Sequence, residues 1–328
     1  MKFISFRKPL AVFSLLGCLL PTLAHAQTPA PAWPTRPVKI IVTFPPGGAP
    51  DTLARVLADK WTQALGQTFT VDNKPGAGGN IGSDFVAKSA GDGSTLLIAT
   101  VGTHAINPAL YSAMPYNHIK DFTPVSFLAS TPNLLVVNNA VPAKNVKELI
   151  ALAEKTPLTF GSSGSGTSIH LSGELFNTLA GVKMQHIPYK GRAQAVPDLL
   201  GGRITMIFDN MPSALPLVKS GDVRAIAVTS AKRSAAAPDI PTMAESGLPG
   251  FEASSWFALM APAGLPKEVL ARINAETARV MNLPDVREKL TQLGLDVAPG
   301  SPESLASHIQ TETVKWAKVV KESGAKLD

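Results

Sequence analysis

Val38-Lys-Ile-Ile-Val-Thr-Phe44 runs straight into Pro45-Pro-Gly-Gly-Ala-Pro-Asp51, and the chain then takes up a helical period, with Leu53, Val56, Leu57, Trp61 and Leu65 on one face. An apolar strand that turns through glycine onto a helix is the unit of α/β architecture. The same pattern returns where Phe69–Asp72 meets Asn73-Lys-Pro-Gly-Ala-Gly-Gly-Asn80. It returns again where Leu158–Phe160 meets Gly161-Ser-Ser-Gly-Ser-Gly-Thr167. Such a turn leaves free N–H groups at the positive end of the helix dipole, a natural seat for an anion. None of the three loops carries a lysine, nucleophile or metal cluster that would make it a reaction site. They suit a protein that holds a small anion without transforming it.

The N-terminus is set apart. Lys2, Arg7 and Lys8 precede an apolar stretch, Leu10–Leu20, and Ala24-His25-Ala26 precedes Gln27, so residues 1–26 read as a cleavable secretory signal, too short for a membrane span. Leu15-Leu16-Gly17-Cys18 also resembles a lipoprotein box, but the apolar run passes through Cys18 to a good cleavage site, and soluble export is the preferred reading. Cleavage of the 328-residue chain leaves 302 residues without cysteine, so disulfides cannot frame the domain. Three of the 30 Lys and Arg leave with the signal, and the formal charge falls from +6 to +3. With no basic cluster, nucleic acid is not a partner to expect.

Beyond a Pro-rich tether (Thr28–Pro37), further helices are expected at 52–65, 81–89, 146–155, 168–180, 195–200 and 215–220. Strands are expected at 95–101, 134–137, 185–188, 204–208 and 223–228. Two C-terminal amphipathic helices follow, Lys267–Met281 and one capped by Ser301 with Pro302 in its first turn. About 300 residues in this order imply two α/β lobes joined by two crossovers, with a ligand cleft between them. Lobe 1 would be residues 33–130 plus 252–328, and lobe 2 residues 131–251.

The loops exclude several chemistries. Gly161–Gly166 imitates P-loop spacing, but Thr167 stands where lysine is required, and no serine there has glycine on both sides at the spacing of a hydrolase elbow. What remains is a hydroxyl-rich backbone nest for a carboxylate, in which the Gly164 backbone should matter more than the Ser163 hydroxyl. Gly76-Ala-Gly-Gly-Asn80 nearly matches a dinucleotide fingerprint but puts Ile81 at the third glycine. Asn80 reads as a helix cap or a ligand contact, and Asp51 as the N-cap of the first helix. Asp209, at a strand end, either opens a turn or accepts a ligand ammonium. His104 and His170 are weak candidates for a base. Trp33, Trp61, Trp256 and Trp316 read as core, although Trp256 could line a cleft. No metal-ligand spacing and no cofactor motif is present. An exported hydrolase using a serine of 162–168 with His104 or His170 is the alternative of another class.

The chain resembles the Bug (TctC-type) periplasmic solute-binding proteins of tripartite tricarboxylate transporters. Trp33-Pro-Thr-Arg-Pro-Val-Lys-Ile40, Pro46-Gly-Gly-Ala-Pro-Asp51, Asp72–Gly82, Gly91-Asp-Gly93, Asn107-Pro-Ala-Leu-Tyr111 and Asp121-Phe-Thr-Pro-Val125 carry the likeness. So do Phe160–Thr167, Pro188-Tyr-Lys-Gly191, Asp198–Gly202 and Pro238-Asp-Ile-Pro-Thr242. The resemblance implies a type II periplasmic-binding-protein fold, no catalysis, no cofactor or metal, and a monomer in the periplasm. It implies capture of a small carboxylate (a dicarboxylate, amino acid or aromatic acid) and delivery to membrane permease subunits; a role as the sensor of a signalling system is the alternative. The ligand contacts it implies are Phe44, Pro46, Gly47, Gly48, Ala77, Gly78, Asn80, Thr100, Ser162, Ser163, Gly164, Ser165, Gly166, Thr167 and Asp209. The sequence departs from the family at Asn117-His118 and at Arg192, where a small residue is common. Facing the cleft, Arg192 would add a fixed cation and favour a more anionic ligand; pointing outward, as is expected here, it is a solvated loop charge.

Overall fold

The computed structural model describes residues 1–5 and 33–327; the segment read as a secretory signal, Cys18 included, lies outside the described residues save for residues 1–5, which carry no regular structure. From Trp33 on, the elements alternate as the sequence leads one to expect. The first stretch comprises β1 (Val38–Val42), α1 (Ala49–Leu65), β2 (Phe69–Asn73), α2 (Asn80–Ala87), β3 (Thr95–Thr100) and α3 (Asn107–Leu110). Then come β4 (Phe122–Asn138), α4 (Val146–Ala153), β5 (Thr159–Ser162), α5 (Ser168–Ala180), β6 (Gln185–Pro188), α6 (Arg192–Leu200), β7 (Met206–Asn210), α7 (Met211–Lys219) and β8 (Val223–Val228). The chain finishes with β9 (Ser254–Pro262), α8 (Lys267–Met281), α9 (Pro284–Gln292), β10 (Asp296–Val297) and α10 (Pro302–Ser323).

One mixed sheet in the order β2-β1-β3-β9-β4-β7-β5-β6 carries the helices, with β8 and β10 also paired to β4. The 17-residue strand β4 belongs to both ends of it. From Phe122 to Pro132 it pairs with β9, and from Asn133 onward with β7 and β8. Pro132, which has no N–H to give a ladder, stands at that change of partners. The fold is α/β, as expected.

The sequence reading missed β9 and the first half of β4. Ser254–Pro262 is buried from its second residue to its last, so it shows none of the alternation that marks a half-exposed strand. Helix α1 begins at Ala49, three residues before the expected start, because Pro50 fits the first turn, where no N–H is needed. Asp51 is therefore inside the first turn and is not the N-cap. One face of α1 buries Leu53, Leu57 and Trp61 completely, each worth about 1.5–3 kcal/mol of burial for side chains of this size. Trp61 meets Trp33 and Phe69 in an aromatic cluster of mostly edge-to-face contacts with centroids 5.2–5.8 Å apart. Trp256 and Trp316 are buried as well, both donating to Glu312 Oε2, so Trp256 does not face a cleft.

Candidate functional site

Five strands deliver their carboxyl ends to one cavity of about 150 Å³. β1 is parallel to β3, and β5 is parallel to both β6 and β7, so within each set the loops leave on the same edge. The wall receives the first turn of α1 through Gly47, Gly48 and Pro50. It receives the turn after β3 through Val101 and Gly102, and the start of α5 through Thr167, Ser168 and Ile169. The start of α6 contributes Gly191 and Arg192, and the start of α7 Asn210 and Ser213. First-turn amides have no partner within their own helix, and each helix presents the positive end of its dipole. An open α/β sheet binds ligands at this edge for the same reason. Phe44, Pro46, Ile169 and Phe257 supply apolar walls.

The hook Phe44–Gly48 is braced from behind. Asp51 accepts from the Gly47 amide at 3.0 Å, from Arg55 Nε and Nη2 at 2.9 and 3.0 Å, and from Asn73 Nδ2 at 3.1 Å. Burial pushes its carboxyl up, but these partners outweigh that and hold it below the usual carboxylate range. Asn73 also donates to Phe44 O, tying the hook to the end of β2. The Gly47 amide is thereby spent within the protein.

The loop before α5 differs from the expected nest. The Gly164 amide donates to Ser162 Oγ at 3.2 Å, and the Gly166 amide to His170 Nδ1 at 3.3 Å. Thr167 caps α5 by accepting from the His170 amide, and its hydroxyl donates to Gly164 O. The loop therefore folds on itself and offers the cavity Ser163, Thr167, Ser168 and Ile169. Ser162, Gly164, Ser165 and Gly166 lie behind that surface, and the first turn of α5 meets the cavity in their place.

Ala77, Gly78 and Asn80 also lie outside the cavity wall. Their loop acts as a wedge. A Cβ on Gly78 would stand 2.6 Å from Ser165 O, so only glycine lets the two loops touch. Asn80 Oδ1 accepts from Asn107 Nδ2 and from the Tyr116 hydroxyl, while its backbone opens α2. Of the expected contacts, Phe44, Pro46, Gly47, Gly48, Thr100, Ser163, Thr167 and Asp209 do converge on the cavity.

Arg192 corrects an expectation. It faces the cavity and pairs with Asp209, Nε to Oδ2 at 2.7 Å, while Nη2 donates to Ser213 O at 2.5 Å. Asp209 is buried, and burial pushes its carboxyl up against the pull of Arg192 and of the Asn210 amide. Sequence reasoning missed Asn210 and Ser255. Asn210 Nδ2 reaches Ser255 Oγ at 2.8 Å and Asn133 Oδ1 at 2.6 Å, and Ser255 is hydrogen-bonded to Ser168. Only the pairing of β4 with β9 and β7 brings these positions together.

Neither candidate base sits beside a usable serine. His104 is fully buried, and burial pulls its imidazole down to about 3. His170 is occupied by the Gly166 amide and stacks on His186 at 3.9 Å. Ser162 is hydrogen-bonded to His186 Nε2 at 2.7 Å but is completely buried and outside the cavity wall. Among the described residues no group of His, Cys, Asp and Glu is arranged to hold a metal, and no helix is long and apolar enough to cross a membrane.

The family described as "Tripartite tricarboxylate transporter family receptor" (TctC) matches residues 53–325. The chain belongs to the TctC receptor family. A curated relative, Protein BugT of Bordetella pertussis, is 38% identical over 320 residues, covering 96% of this chain and 98% of its own. The solved structure titled "R. palustris Rpa4515 with adipate" superposes with a TM-score of 0.87 at 41% identity, covering 90% of this chain and all of that one. MatC (Rpa3494) from Rhodopseudomonas palustris with bound malate gives 0.83 at 35%, covering 88% and 99%. TctC receptors are periplasmic solute-binding proteins and not enzymes, so the hydrolase alternative falls.

Proposed function

We propose that this receptor is exported to the periplasm, captures a small carboxylate there as a monomer, and delivers it to the permease subunits of a tripartite tricarboxylate transporter. The observation that carries the reading is the convergence of four helix N-termini and the Val101–Gly102 turn on one cavity. Its size, about 150 Å³, is well below the ~300–1,000 Å³ of sites for drug-sized ligands and suits a small organic acid. Adipate and malate, each bound by a relative, are acids of this class. Residues 33–130 with 252–328 and residues 131–251 act as the two lobes, hinged where β4 changes partners and along the return into β9. The ligand contacts are Phe44, Pro46, Gly48, Thr100, Ser163, Thr167, Ser168 and Arg192.

A ligand that binds only the folded protein raises its melting temperature. At a concentration 100 times Kd the gain is about 2.7 kcal/mol, or about 5 °C for a domain of this size. Thermal shift of the exported protein against C4–C6 dicarboxylates, amino acids and aromatic acids, followed by calorimetric titration, tests the proposal. A shift with one carboxylate group is expected, and no shift with any at millimolar concentration would overturn it.

A further inference from the structure

The cavity wall contains two charged side chains among the described residues, Arg192 and Asp209, and they are bonded to each other. Building on the carboxylate reading, we propose that Arg192 is the specificity-determining residue of this receptor. It reads the second anionic group of a dianionic ligand, with Asp209 serving to aim it and not to meet a ligand ammonium.

The placement of the arginine is unfavourable on its own terms. Arg192 is the first residue of α6, where the helix dipole disfavours a cation. Helix propensity does not put it there, and a solvated charge would point away from the cavity. Instead its guanidinium is fixed at two corners, by Asp209 Oδ2 at 2.7 Å and by Ser213 O at 2.5 Å on the first turn of α7. Gly191, with φ of +140°, brings this turn against the hook, since a Cβ there would stand 2.8 Å from Pro45 Cγ. The side chain retains 30% exposure, and the N–H groups of Nη1 have no protein acceptor among the described residues. A planar fork with one edge anchored and another edge open matches a carboxylate.

Asp209 is correspondingly closed to a ligand. One oxygen accepts from Arg192 and the other from the Asn210 amide at 3.0 Å, and the residue is 3% exposed. An ammonium group would have to displace the guanidinium to reach it. Two anion seats of different kinds result. The helix N-termini serve one carboxylate, and the guanidinium serves the other. The site then ranks dicarboxylates above monocarboxylates of equal length, and both above ω-amino acids, whose ammonium would face Arg192.

Calorimetric titration of the full exported chain with matched series tests this: succinate, butanoate and 4-aminobutanoate, and adipate, hexanoate and 6-aminohexanoate. At the better-bound length, the diacid is expected to bind about 10- to 100-fold tighter than the monoacid, the range of a charge-assisted hydrogen-bonded contact. Arg192→Gln collapses that ratio to about threefold or less and, with Asp209 freed, moves the ω-amino acid up the ranking. Adding Asp209→Asn to it cancels that gain. Arg192→Lys restores part of the ratio, as a point charge without the fork, and keeps the test open if the Gln variant does not fold. Equal binding of diacid and monoacid by the unaltered protein overturns the proposal. So does an unchanged ratio in either Arg192 variant, even with a lowered melting temperature, since that is the outcome of a merely structural ion pair. Those results leave carboxylate capture standing; binding of no acid of either series overturns this proposal, and carboxylate capture falls with it only if the amino acids and aromatic acids of the thermal-shift set fail as well.

Discussion

Replacing Gly102 by alanine tests whether the two sides of the cavity separate. Gly102 opens a π-helical segment, Gly102–Ile106, directly after β3, and a Cβ on it would stand 2.7 Å from Gly166 O, on the loop that leads to α5. A methyl group needs about 0.5–0.8 Å more than that. The neighbour is backbone, tied by the Gly166 amide to His170, so it cannot rotate aside. Overpacking of this kind costs about 1–3 kcal/mol. If the sides move apart in the unliganded protein, the closed state alone carries that cost, and Kd rises about 5- to 150-fold. The unliganded stability should then hold or rise slightly, because alanine for glycine at a helical position removes unfolded-state entropy, about 0.4–1 kcal/mol. Calorimetric titration of both proteins with the acid that binds best, paired with melts of the unliganded forms, reads the two quantities separately. A Kd within about twofold of the original, with the cost appearing in the unliganded melting temperature, would refute the reasoning and describe a cavity that does not open.

Asp51→Ala strips an acceptor from the Gly47 amide, Asn73 and Arg55 at once. The expected loss is about 1–3 kcal/mol of stability, seen by chemical denaturation, with weaker ligand binding because the hook is no longer braced; unchanged binding would mean that the hook does not touch ligand. His104 makes stability depend on pH. Its folded value of about 3 lies below the 6.5 of an unfolded histidine, so between these values the unfolded state takes up the proton and stability falls as pH falls. From pH 7 to pH 5 its share of the loss is about 2 kcal/mol; His186, also pulled down to about 3 by burial, adds a share of its own. His104→Phe should therefore reduce the loss by about 2 kcal/mol without abolishing it in denaturation curves taken at the two pH values, and an equal slope in both proteins would rule His104 out as a source.

Helices whose apolar residues recur on one face were legible in the sequence, two of them to the residue, although α1 begins three residues early. Ser168–Ala180 and Lys267–Met281 occur as expected, and Ser301 caps α10 by accepting from the Ser304 amide. Their signals are local: a periodic stripe, a cap, a terminal glycine. Strand β9 was not legible, since a strand buried on both faces has no period to read, nor was the first half of β4, whose partly exposed positions Thr123, Pro124, Phe127 and Ser130 do not alternate with buried ones. The site divided along the same line. Loops that turn through glycine marked where helix N-termini would be, and eight of the fifteen expected contacts reach the cavity wall. Ser162, Gly164, Ser165 and Gly166 do not, because an amide in a glycine loop is a donor to whatever lies nearest, and here that is Ser162 Oγ and His170 Nδ1.

The sequence by itself determined the kind of architecture: strand–glycine–helix units repeated along the chain, amides at the head of each helix, and loops without a P-loop lysine or a metal cluster. Those properties depend on neighbours in the chain, which is why they can be read there. Tertiary structure alone decided which amides remain free and which charge faces them. Arg192 and Asp209 are seventeen positions apart, Asn210 and Ser255 forty-five, and Ser168 and Ser255 eighty-seven. No local pattern sets the direction of a guanidinium at the head of α6. That direction depends on a carboxylate at the end of β7 and a carbonyl on α7, which the sheet order places beside it.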